Sequence, residues 1–331
     1  MDKKRDPYLV GLIGAGRISK LHLDSIGRHT DSMKVVALCD PDREVVEKRA
    51  AEYGIEHTYG ALEDMIEQES LNVAIVCTPT PIRKKVMLPL IEAGIPIFCE
   101  KPFAETYAEA KQIEQAAREA GIAVAVNQNF RRHFAFSIAR PIIESGRLGR
   151  PLHLMQTTVY RRRDKGWRLD RKRYVLAVMS IHWFDGYRYL LGDEPEQVYC
   201  QSVNSPVTSG GEDTAVSVIL RFRNGAVVTL SESFSSFSDL ASCSLDCENG
   251  GLQLGFDCMT EVRAGGQTIE HKNPYDISEA SYWLLNDLTE AAANGHEPET
   301  SATDNLKSIR IMEAAYLSAE ENRPVSMEEI T

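Results

Sequence analysis

The 331-residue sequence has no run of about 18 apolar residues, the length that a membrane-spanning helix requires. It also lacks an excess of basic residues, since its net charge is −11 and its isoelectric point is near 5.3. We therefore expect neither a membrane nor a nucleic acid as a partner. The first apolar run, "YLVGLIGAG", is broken by glycine within a few residues, so we expect no signal peptide.

The sequence also lacks a disulfide framework and a recognisable metal motif. The seven cysteines are odd in number and scattered, mostly in strand-like segments: Cys39, Cys77, Cys99, Cys200, Cys243, Cys247 and Cys258. We interpret them as reduced, buried thiols of a cytoplasmic protein. Cys243 and Cys247 are four residues apart, but no histidine or third cysteine is close enough in sequence to complete a zinc site. We therefore expect no metal.

Two patterns of secondary structure divide the chain near residue 128. In residues 1–128, short apolar strands alternate with helices, which predicts an α/β domain built on a doubly wound parallel sheet. Residues 129–331 begin and end with helices, and several alternating strands separated by short turns lie between them. This pattern predicts an α+β domain with a large, mostly antiparallel open sheet.

A glycine-rich segment, "VGLIGAGRISKLH", lies between the first strand and the first helix. Gly14 permits a tight turn, Gly16 lets a pyrophosphate approach the backbone, and the small Ser19 lets the helix pack on the strand. The free N–H groups of the helix would then face the pyrophosphate. An ordinary glycine-rich turn is the alternative, but the succession of strand, loop, helix and later acid favours a dinucleotide site.

The later acid is Asp40, at the end of the second strand and 21 residues after Ser19. A carboxylate there accepts hydrogen bonds from both ribose hydroxyls of NAD and repels the 2′-phosphate of NADP. We therefore predict NAD as the cofactor. NADP is the alternative, because Arg43 is close enough in sequence to bind a phosphate. Asp40 could also cap the helix that follows it.

The tripeptide "EKP" directly follows the apolar strand "IPIFC". In a doubly wound sheet, ligands bind outside the carboxyl ends of the strands, so Lys101 would point towards a bound nicotinamide. Pro102 would fix the turn, and Glu100 would hold the ammonium group of Lys101 in place. A solvated surface lysine is the alternative.

Four segments, "GLIGAGRISKLH", "CTPTP", "CEKPFA" and "SIHWFDGYRYLLG", occur in the order typical of the glucose–fructose oxidoreductase / inositol dehydrogenase / MocA family. The sequence resembles that family over nearly its whole length. The resemblance implies an NAD(P)-binding Rossmann domain in residues 1–128 and a domain for substrate binding and oligomerisation in residues 129–331, with the active site between them. It also implies a homodimer or homotetramer that moves a hydride between NAD(P) and a secondary alcohol of a sugar, cyclitol or sugar acid.

By this resemblance, Lys101 is the catalytic lysine and His182 the catalytic histidine. The chemistry is reasonable, because oxidation of an alcohol needs a base for the hydroxyl proton and an imidazole titrates near neutral pH. A nearby cation would stabilise the developing alkoxide. The residues that the resemblance assigns to the cofactor are Gly14, Gly16, Arg17, Ile18, Asp40, Thr78, Pro79, Glu100 and Lys101.

The sequence departs from the family pattern four residues before His182, where the family commonly has aspartate and this chain has Val178. A valine neither accepts a proton nor orients an imidazole. Asp185 matches a family aspartate, and it would either orient His182 or hold the helix in place. The candidates for a substitute of the missing acid are Tyr174, Asp164 and Asp170.

Several basic residues have two interpretations. Arg83 stands where many family members have histidine, and we favour a solvated helix residue over a ligand contact. The basic segment "YRRRDKGWRLDRKRY" is either a solvated or intersubunit surface, or it binds an anionic substrate such as a sugar acid or phosphate. The residues that we assign to the substrate are Arg132, Trp167 and Arg168, and Asn127 and Asn129 also lie where the family often contacts cofactor or substrate.

We interpret the sequence as that of an NAD-dependent oxidoreductase acting on a polyol, sugar or sugar acid. One alternative is a nicotinamide-binding sensor or regulator that has lost its chemistry, which the valine at position 178 suggests. A second alternative is NAD-dependent glycoside cleavage, which begins with the same hydride transfer.

Overall fold

A computed structural model describes residues 6–164, 172–206 and 211–331. The chain divides into two compact units, the first formed by Met1–Gln128 with Ser278–Leu306 and the second by Asn129–Ile277 with Lys307–Thr331. No helix among the described residues is both long enough and apolar enough to span a membrane.

The described α-helices are α1 Ser19–Gly27, α2 Arg43–Tyr53, α3 Leu62–Gln68, α4 Arg83–Glu92, α5 Tyr107–Ala120, α6 Phe130–His133, α7 Phe136–Glu144, α8 Ile181–Leu191, α9 Ala280–Asn294 and α10 Ala302–Glu321. The described strands are β1 Tyr8–Ile13, β2 Met33–Cys39, β3 His57–Tyr59, β4 Val73–Val76, β5 Ile97–Cys99, β6 Val124–Val126, β7 Pro151–Arg161, β8 Pro195–Val203, β9 Ala215–Phe222, β10 Val227–Ser233, β11 Ser235–Cys247, β12 Gly250–Leu254, β13 Cys258–Arg263, β14 Thr268–Lys272 and β15 Val325–Ser326.

The first unit contains a parallel sheet of six strands in the order β3-β2-β1-β4-β5-β6. Strands β4, β5 and β6 are buried along their whole length, as expected when helices cover both faces of a parallel sheet. The order of the strands reverses between β1 and β4, and the glycine-rich segment leaves β1 at that position. The prediction of a doubly wound parallel sheet is confirmed.

Residues 278–306 belong to the first unit, although the sequence analysis assigned them to the second domain. Helix α9 contacts α1, and its Leu285 and Leu288 join the same apolar core as Val10 of β1. The apolar pattern of a helix indicates that one face is buried, but it does not indicate which element covers that face.

The second unit contains a sheet of nine strands in the order β14-β13-β12-β11-β7-β10-β9-β8-β15. Among the strands described for this sheet, only β7 and β10 pair in parallel, so the prediction of a mostly antiparallel open sheet is also confirmed. Buried and exposed residues alternate along β9, which places one face of the sheet against the core. Helices α7 and α8 pack closely, because a Cβ atom on Gly186 would lie 2.2 Å from the ring of Phe136.

The cysteines are free thiols, and six of the seven are buried. Cys258 is exposed at the start of β13, so the prediction of a buried thiol is wrong at that position.

Candidate active site

The turn after β1 requires a glycine at position 14. Gly14 has a φ of +94°, and a Cβ atom there would lie 2.9 Å from the carbonyl carbon of Cys77 and 3.0 Å from the amide nitrogen of Thr78. An L-residue at this position would therefore be strained and would clash with the backbone that follows β4. The close approach brings the ends of β1 and β4 together beside the loop.

Gly16 has a different surrounding from Gly14. A Cβ atom on Gly16 would meet no protein atom within 4 Å, so packing within the protein does not require glycine there. The hydroxyl of Ser19, which is fully buried, donates to the carbonyl of Gly16 at 2.6 Å. Helix α1 begins without a side-chain cap, and the amides of Ser19 and Leu21 donate to the carbonyls of Gly16, at 3.2 Å, and Ile18, at 3.1 Å. The positive end of the helix dipole faces this loop and favours an anion there. The space beside Gly16 fits a pyrophosphate that approaches the backbone.

Asp40 lies beside the same loop, immediately after β2. Its carboxylate accepts hydrogen bonds from the amides of Ala15, at 2.8 Å, and Asp42, at 3.0 Å. The cap of α2 is Asp42, which accepts from the amide of Val45, so Asp40 does not cap this helix. Arg43 is largely exposed and pairs with Glu47.

The segment after β4 supplies a second part of this region. Thr78 is buried, and its hydroxyl oxygen has no hydrogen-bond partner among the residues that the structure describes. Pro79 follows it and precedes a short 3₁₀ turn, Thr80–Ile82. A buried hydroxyl without a protein partner beside the glycine loop fits a ligand that completes its hydrogen bonding.

Arg83 is buried, so the interpretation of this residue as a solvated helix residue is wrong. Its guanidinium donates to the carbonyls of Thr78, Glu100 and Pro102. These carbonyls follow the neighbouring strands β4 and β5, and they converge on the guanidinium because parallel strands end at the same edge of the sheet. Arg83 therefore fixes the segment that contains Lys101.

Glu100 is buried and accepts two hydrogen bonds at Oε1, one from His22 of α1 at 2.9 Å and one from Asn127 at 2.8 Å. Burial by itself raises the pKa of Glu100, but the hydrogen bond and charge of His22, the hydrogen bond from Asn127 and the charge of Lys101 lower the pKa to about 2. Glu100 is therefore an ionised carboxylate in the interior, next to Lys101. Sequence analysis did not predict the role of His22, although this histidine ends the quoted glycine motif.

Lys101 is half-buried and directly follows this carboxylate at the carboxyl end of β5. The peptide bond between Lys101 and Pro102 is cis. Ligands collect at this edge of a doubly wound sheet, so Lys101 lies at the edge where the sequence analysis expected it.

In the second unit, a π-helical turn, Leu176–Ser180, leads into α8. The amides of Tyr174 and Leu176 donate to the two carboxylate oxygens of Asp213, at 2.5 and 2.9 Å. Burial raises the pKa of Asp213, and the two hydrogen bonds lower it. The effect of burial is larger, so the pKa is raised to about 6. Single π turns are frequent at functional sites, and this one contains the buried Val178.

Tyr174 is fully buried, and its phenol donates to Asp164 at 2.6 Å. Burial and the Asp164 carboxylate both raise the pKa of Tyr174 well above its ordinary value. Asp164 also pairs with Arg162 at 2.7 Å. Tyr174 and Asp164, two of the three candidates to replace the family aspartate, are therefore hydrogen-bonded to each other. The third candidate, Asp170, lies outside the described residues.

His182 is 6% exposed and lies in the first turn of α8. Its ring stacks on the ring of Phe130, with centroids 4.3 Å apart and planes inclined by 10°. Ser180, two residues before His182, and Trp183, directly after it, both donate to the buried Glu232 of β10, and these hydrogen bonds tie the start of α8 to the sheet. Neither Phe130 nor Glu232 was singled out from the sequence, since no local pattern distinguishes them from ordinary core and strand residues.

Asp185, three residues after His182, accepts two hydrogen bonds of 2.8 Å from Arg131. Ser308 also donates to it at 3.2 Å. These contacts support the second interpretation of Asp185, in which it holds the helix in place.

Three arginines that could bind an anionic substrate, Arg132, Arg162 and Arg173, contact side chains of the protein itself. Arg132 donates to the hydroxyl of Tyr189 at 3.2 Å. Arg162 pairs with Asp164, and Arg173 forms a two-pronged pair with Glu313 at 2.6 and 2.8 Å. Trp167 and Arg168, which we assigned to the substrate, lie outside the described residues.

Four features together define an NAD-binding oxidoreductase domain: the order of the strands in the parallel sheet, the glycine loop, the acid after β2 and the lysine after β5. Residues 8–128 match the family model described as "Oxidoreductase family, NAD-binding Rossmann fold", and residues 136–253 match the "GFO/IDH/MocA C-terminal domain". The chain therefore belongs to the GFO/IDH/MocA oxidoreductase family, as the sequence motifs predicted.

Two curated relatives extend over almost the whole chain. D-apiose dehydrogenase of Paraburkholderia graminis is 28% identical, and the match covers 96% of this chain and 89% of the relative. Inositol 2-dehydrogenase of Rhizobium meliloti is 27% identical, with coverage of 96% and 98%. A crystal structure of an oxidoreductase from Agrobacterium radiobacter, in complex with NAD+, L-tartaric acid and magnesium, has the same fold, with a TM-score of 0.90, 20% identity and coverage of 98% and 99%.

Proposed function

We propose that this chain is an NAD-dependent dehydrogenase or reductase that interconverts a secondary alcohol and a ketone on a sugar, cyclitol or sugar acid. The observation that carries the proposal is the buried, ionised Glu100, which directly precedes Lys101 at the ligand-binding edge of the parallel sheet. An interior carboxylate held by His22 and Asn127 gives the neighbouring ammonium a fixed counter-charge, which an ordinary surface lysine does not need.

In this proposal Lys101 and His182 have separate roles. The ammonium of Lys101 stabilises the negative charge that develops on the substrate oxygen during oxidation. The imidazole of His182, fixed by the stack on Phe130, accepts the hydroxyl proton. Bound NAD supplies the hydride acceptor.

The residues of the first unit fit NAD. Gly14 and Gly16 would admit the pyrophosphate, and the positive end of the α1 dipole would favour its charge. The hydroxyl of Thr78 would gain a partner. Asp40 would accept the ribose hydroxyls, while Arg43, largely exposed and paired with Glu47, offers weak support for NADP.

The substrate class rests on the relatives, which are named for D-apiose and inositol, both polyhydroxylated. The described part of the basic segment supports an anionic substrate less well, because Arg162 and Arg173 are paired with carboxylates of the protein. The formation of a homodimer or homotetramer by this chain stays a prediction from the sequence, and so does its cytoplasmic location.

One observation favours the alternative of a nicotinamide-binding regulator. Val178 replaces the acid that the family commonly has, and the two described substitutes, Tyr174 and Asp164, are hydrogen-bonded to each other. On this alternative the chain binds NADH and performs no turnover.

The two functions differ in a direct assay. The protein is incubated with NAD and a panel of aldoses, polyols, inositols and uronates, and formation of the reduced cofactor is followed by absorbance. We expect turnover on at least one panel member, and a loss of about a hundredfold to ten-thousandfold in Lys101→Met and in His182→Gln. Lys111→Met and His296→Gln are matched controls, since both residues are exposed. Tight NADH binding without turnover on any panel member would instead support the regulator.

A further inference from the structure

One arginine of α2, Arg49, reaches back to the glycine loop. Its Nε donates to the carbonyl of Ala15 and its Nη2 to the carbonyl of Gly16, each at 3.3 Å. Its Nη1 donates to Glu52, three residues later in the same helix, at 2.6 Å. The side chain of Arg49 is only 14% exposed. All three guanidinium nitrogens therefore have acceptors in the protein, and two of them hold consecutive peptide units of the loop.

The two carbonyls fix the direction of the N–H groups in the same peptide units. Both peptide bonds that link Ala15, Gly16 and Arg17 are trans. In a planar trans peptide, the N–H group points to the side opposite the C=O group. Since both carbonyls point towards Arg49, the N–H groups of Gly16 and Arg17 both point to the opposite side of the loop.

The protein itself does not use these two N–H groups. Neither has an acceptor among the hydrogen bonds of the residues that the structure describes, and Gly16 and Arg17 are both exposed. The preceding amide differs, because the N–H group of Ala15 donates to Asp40 at 2.8 Å. Successive backbone N–H groups that point the same way form a concave site for an anion.

Arg49 also strengthens these N–H groups as donors. A cation at a carbonyl oxygen draws electron density through the amide, and hydrogen bonds linked in this way reinforce one another. The planar fork of a guanidinium can contact two acceptors at once, and a charge-assisted hydrogen bond is roughly twice as strong as a neutral one. Arg43 of the same helix has no such arrangement, because its side chain is 89% exposed and pairs with Glu47.

We propose that Arg49 is a positioning residue for NAD binding, which holds the loop so that the N–H groups of Gly16 and Arg17 receive the pyrophosphate. Arg49 acts through the loop and donates no hydrogen bond to the cofactor, because its three nitrogens already donate to Ala15, Gly16 and Glu52. The inference rests on the part of the proposed function that concerns NAD binding, and it is independent of hydride transfer.

The first test measures NADH binding to the full-length protein by fluorescence titration. Arg49→Met keeps a long side chain and removes the guanidinium, and we expect the dissociation constant to rise about tenfold or more. Arg49→Lys keeps the charge but lacks the planar fork, so most of this loss should remain. Arg43→Met, on the exposed side of the same helix, is the matched control and should change the dissociation constant by no more than about twofold.

The second test observes the loop in the protein without cofactor. The amide proton of Gly16 is followed by NMR in protein that contains isotope-labelled glycine, and its resonance is assigned by its absence in Gly16→Ala. In Arg49→Met this resonance should move upfield, because the peptide unit loses the cation that polarises it, and in Arg43→Met it should stay in place. A residue that only stabilises α2 would change the thermal unfolding temperature without moving this resonance.

Three results would each overturn the positioning role. They are unchanged NADH affinity in Arg49→Met, the full affinity of the original protein in Arg49→Lys, and a Gly16 resonance that stays in place in Arg49→Met. The second would show that the charge of the side chain is sufficient. Should Arg49→Met fail to fold, the same measurements on Arg49→Lys decide, since this variant also lacks the fork.

These outcomes are separable from failure of the proposed function. NADH binding that weakens in Arg49→Met, in a protein without turnover on any panel member, would contradict the dehydrogenase and leave the role of Arg49 in place. Turnover with a KM for NAD that is unchanged in Arg49→Met would contradict the role of Arg49 alone.

Discussion

The guanidinium of Arg131 and the carboxylate of Asp185 form two parallel hydrogen bonds of 2.8 Å, and both side chains are at least nine-tenths buried. The pair joins α6 to α8 three residues after His182. Two-pronged pairs of this kind fix orientation as well as distance, so the position of His182 depends on an ion pair that never needs to touch a ligand.

Removing one partner of this pair should be costly. Asp185→Asn leaves a buried guanidinium without its counter-charge, and we expect the free energy of unfolding to fall by about 3–5 kcal/mol. Urea unfolding measures this loss. The control is Glu144→Gln, which breaks the more exposed Arg140–Glu144 pair and should cost no more than about 0.5 kcal/mol. Similar losses in both variants would contradict a structural role for the buried pair.

The two loop glycines should respond differently to alanine. Gly14→Ala must adopt a φ of +94° and meet the backbone of Cys77, so we expect a loss of stability of at least about 1–2 kcal/mol together with loss of NADH binding. Gly16→Ala meets no protein atom, so its stability should stay within about 1 kcal/mol of the original, while NADH binding weakens about tenfold or more because charge-assisted hydrogen bonds to the phosphates lengthen. Thermal unfolding and NADH fluorescence titration measure the two effects. Equal NADH affinity in Gly16→Ala and the original protein would argue against a pyrophosphate at this loop.

Asp40 should set the preference between the two nicotinamide cofactors. Asp40→Ser removes the charge that repels a 2′-phosphate and weakens the contacts to the ribose hydroxyls, so the ratio of NADPH to NADH affinity should rise about tenfold or more. Fluorescence titrations with both cofactors measure the ratio. Asp42→Ser, which keeps a side chain able to cap α2, should leave the ratio unchanged. An unchanged ratio in Asp40→Ser would contradict this role.

The sequence was most informative where a local pattern determines the structure. Alternating strands and helices predicted the parallel sheet, and the order of strand, glycine turn, helix and acid predicted the loop near Asp40. Strands as short as β3, with three residues, or as polar as β14 show too little periodicity to be recognised.

The sequence was least informative where tertiary contacts override the usual preference of a side chain. Arg83 carries a long, charged side chain that would ordinarily be solvated, yet three carbonyls from the loops after two strands converge on it. The stack of His182 on Phe130 joins residues 52 positions apart, and no spacing in the sequence indicates that contact. Recognition of the family motifs identified Lys101 and His182 as candidates, but not the buried groups that surround them.

The low pKa of Glu100 predicts how stability depends on pH. The pKa falls from its ordinary 4.5 to about 2 in the folded protein, because the hydrogen bonds and charges around the carboxylate outweigh the effect of burial. At about 1.4 kcal/mol for each pH unit, the ionised carboxylate contributes about 3 kcal/mol of stability above pH 4.5, and this contribution is lost as the pH falls towards 2. About 2 kcal/mol of it should disappear between pH 5 and pH 3.

Glu100→Gln lacks this titration. Between pH 5 and pH 3, the free energy of unfolding of the variant should therefore fall by about 2 kcal/mol less than that of the original protein. Urea unfolding of both proteins at pH 5, 4 and 3 provides the comparison. Glu119→Gln, on the exposed side of α5, is the control and should follow the original protein at every pH. If the curves for the original protein and for Glu100→Gln run parallel, the carboxylate is not held ionised in the interior, and the fixed counter-charge proposed for Lys101 is absent.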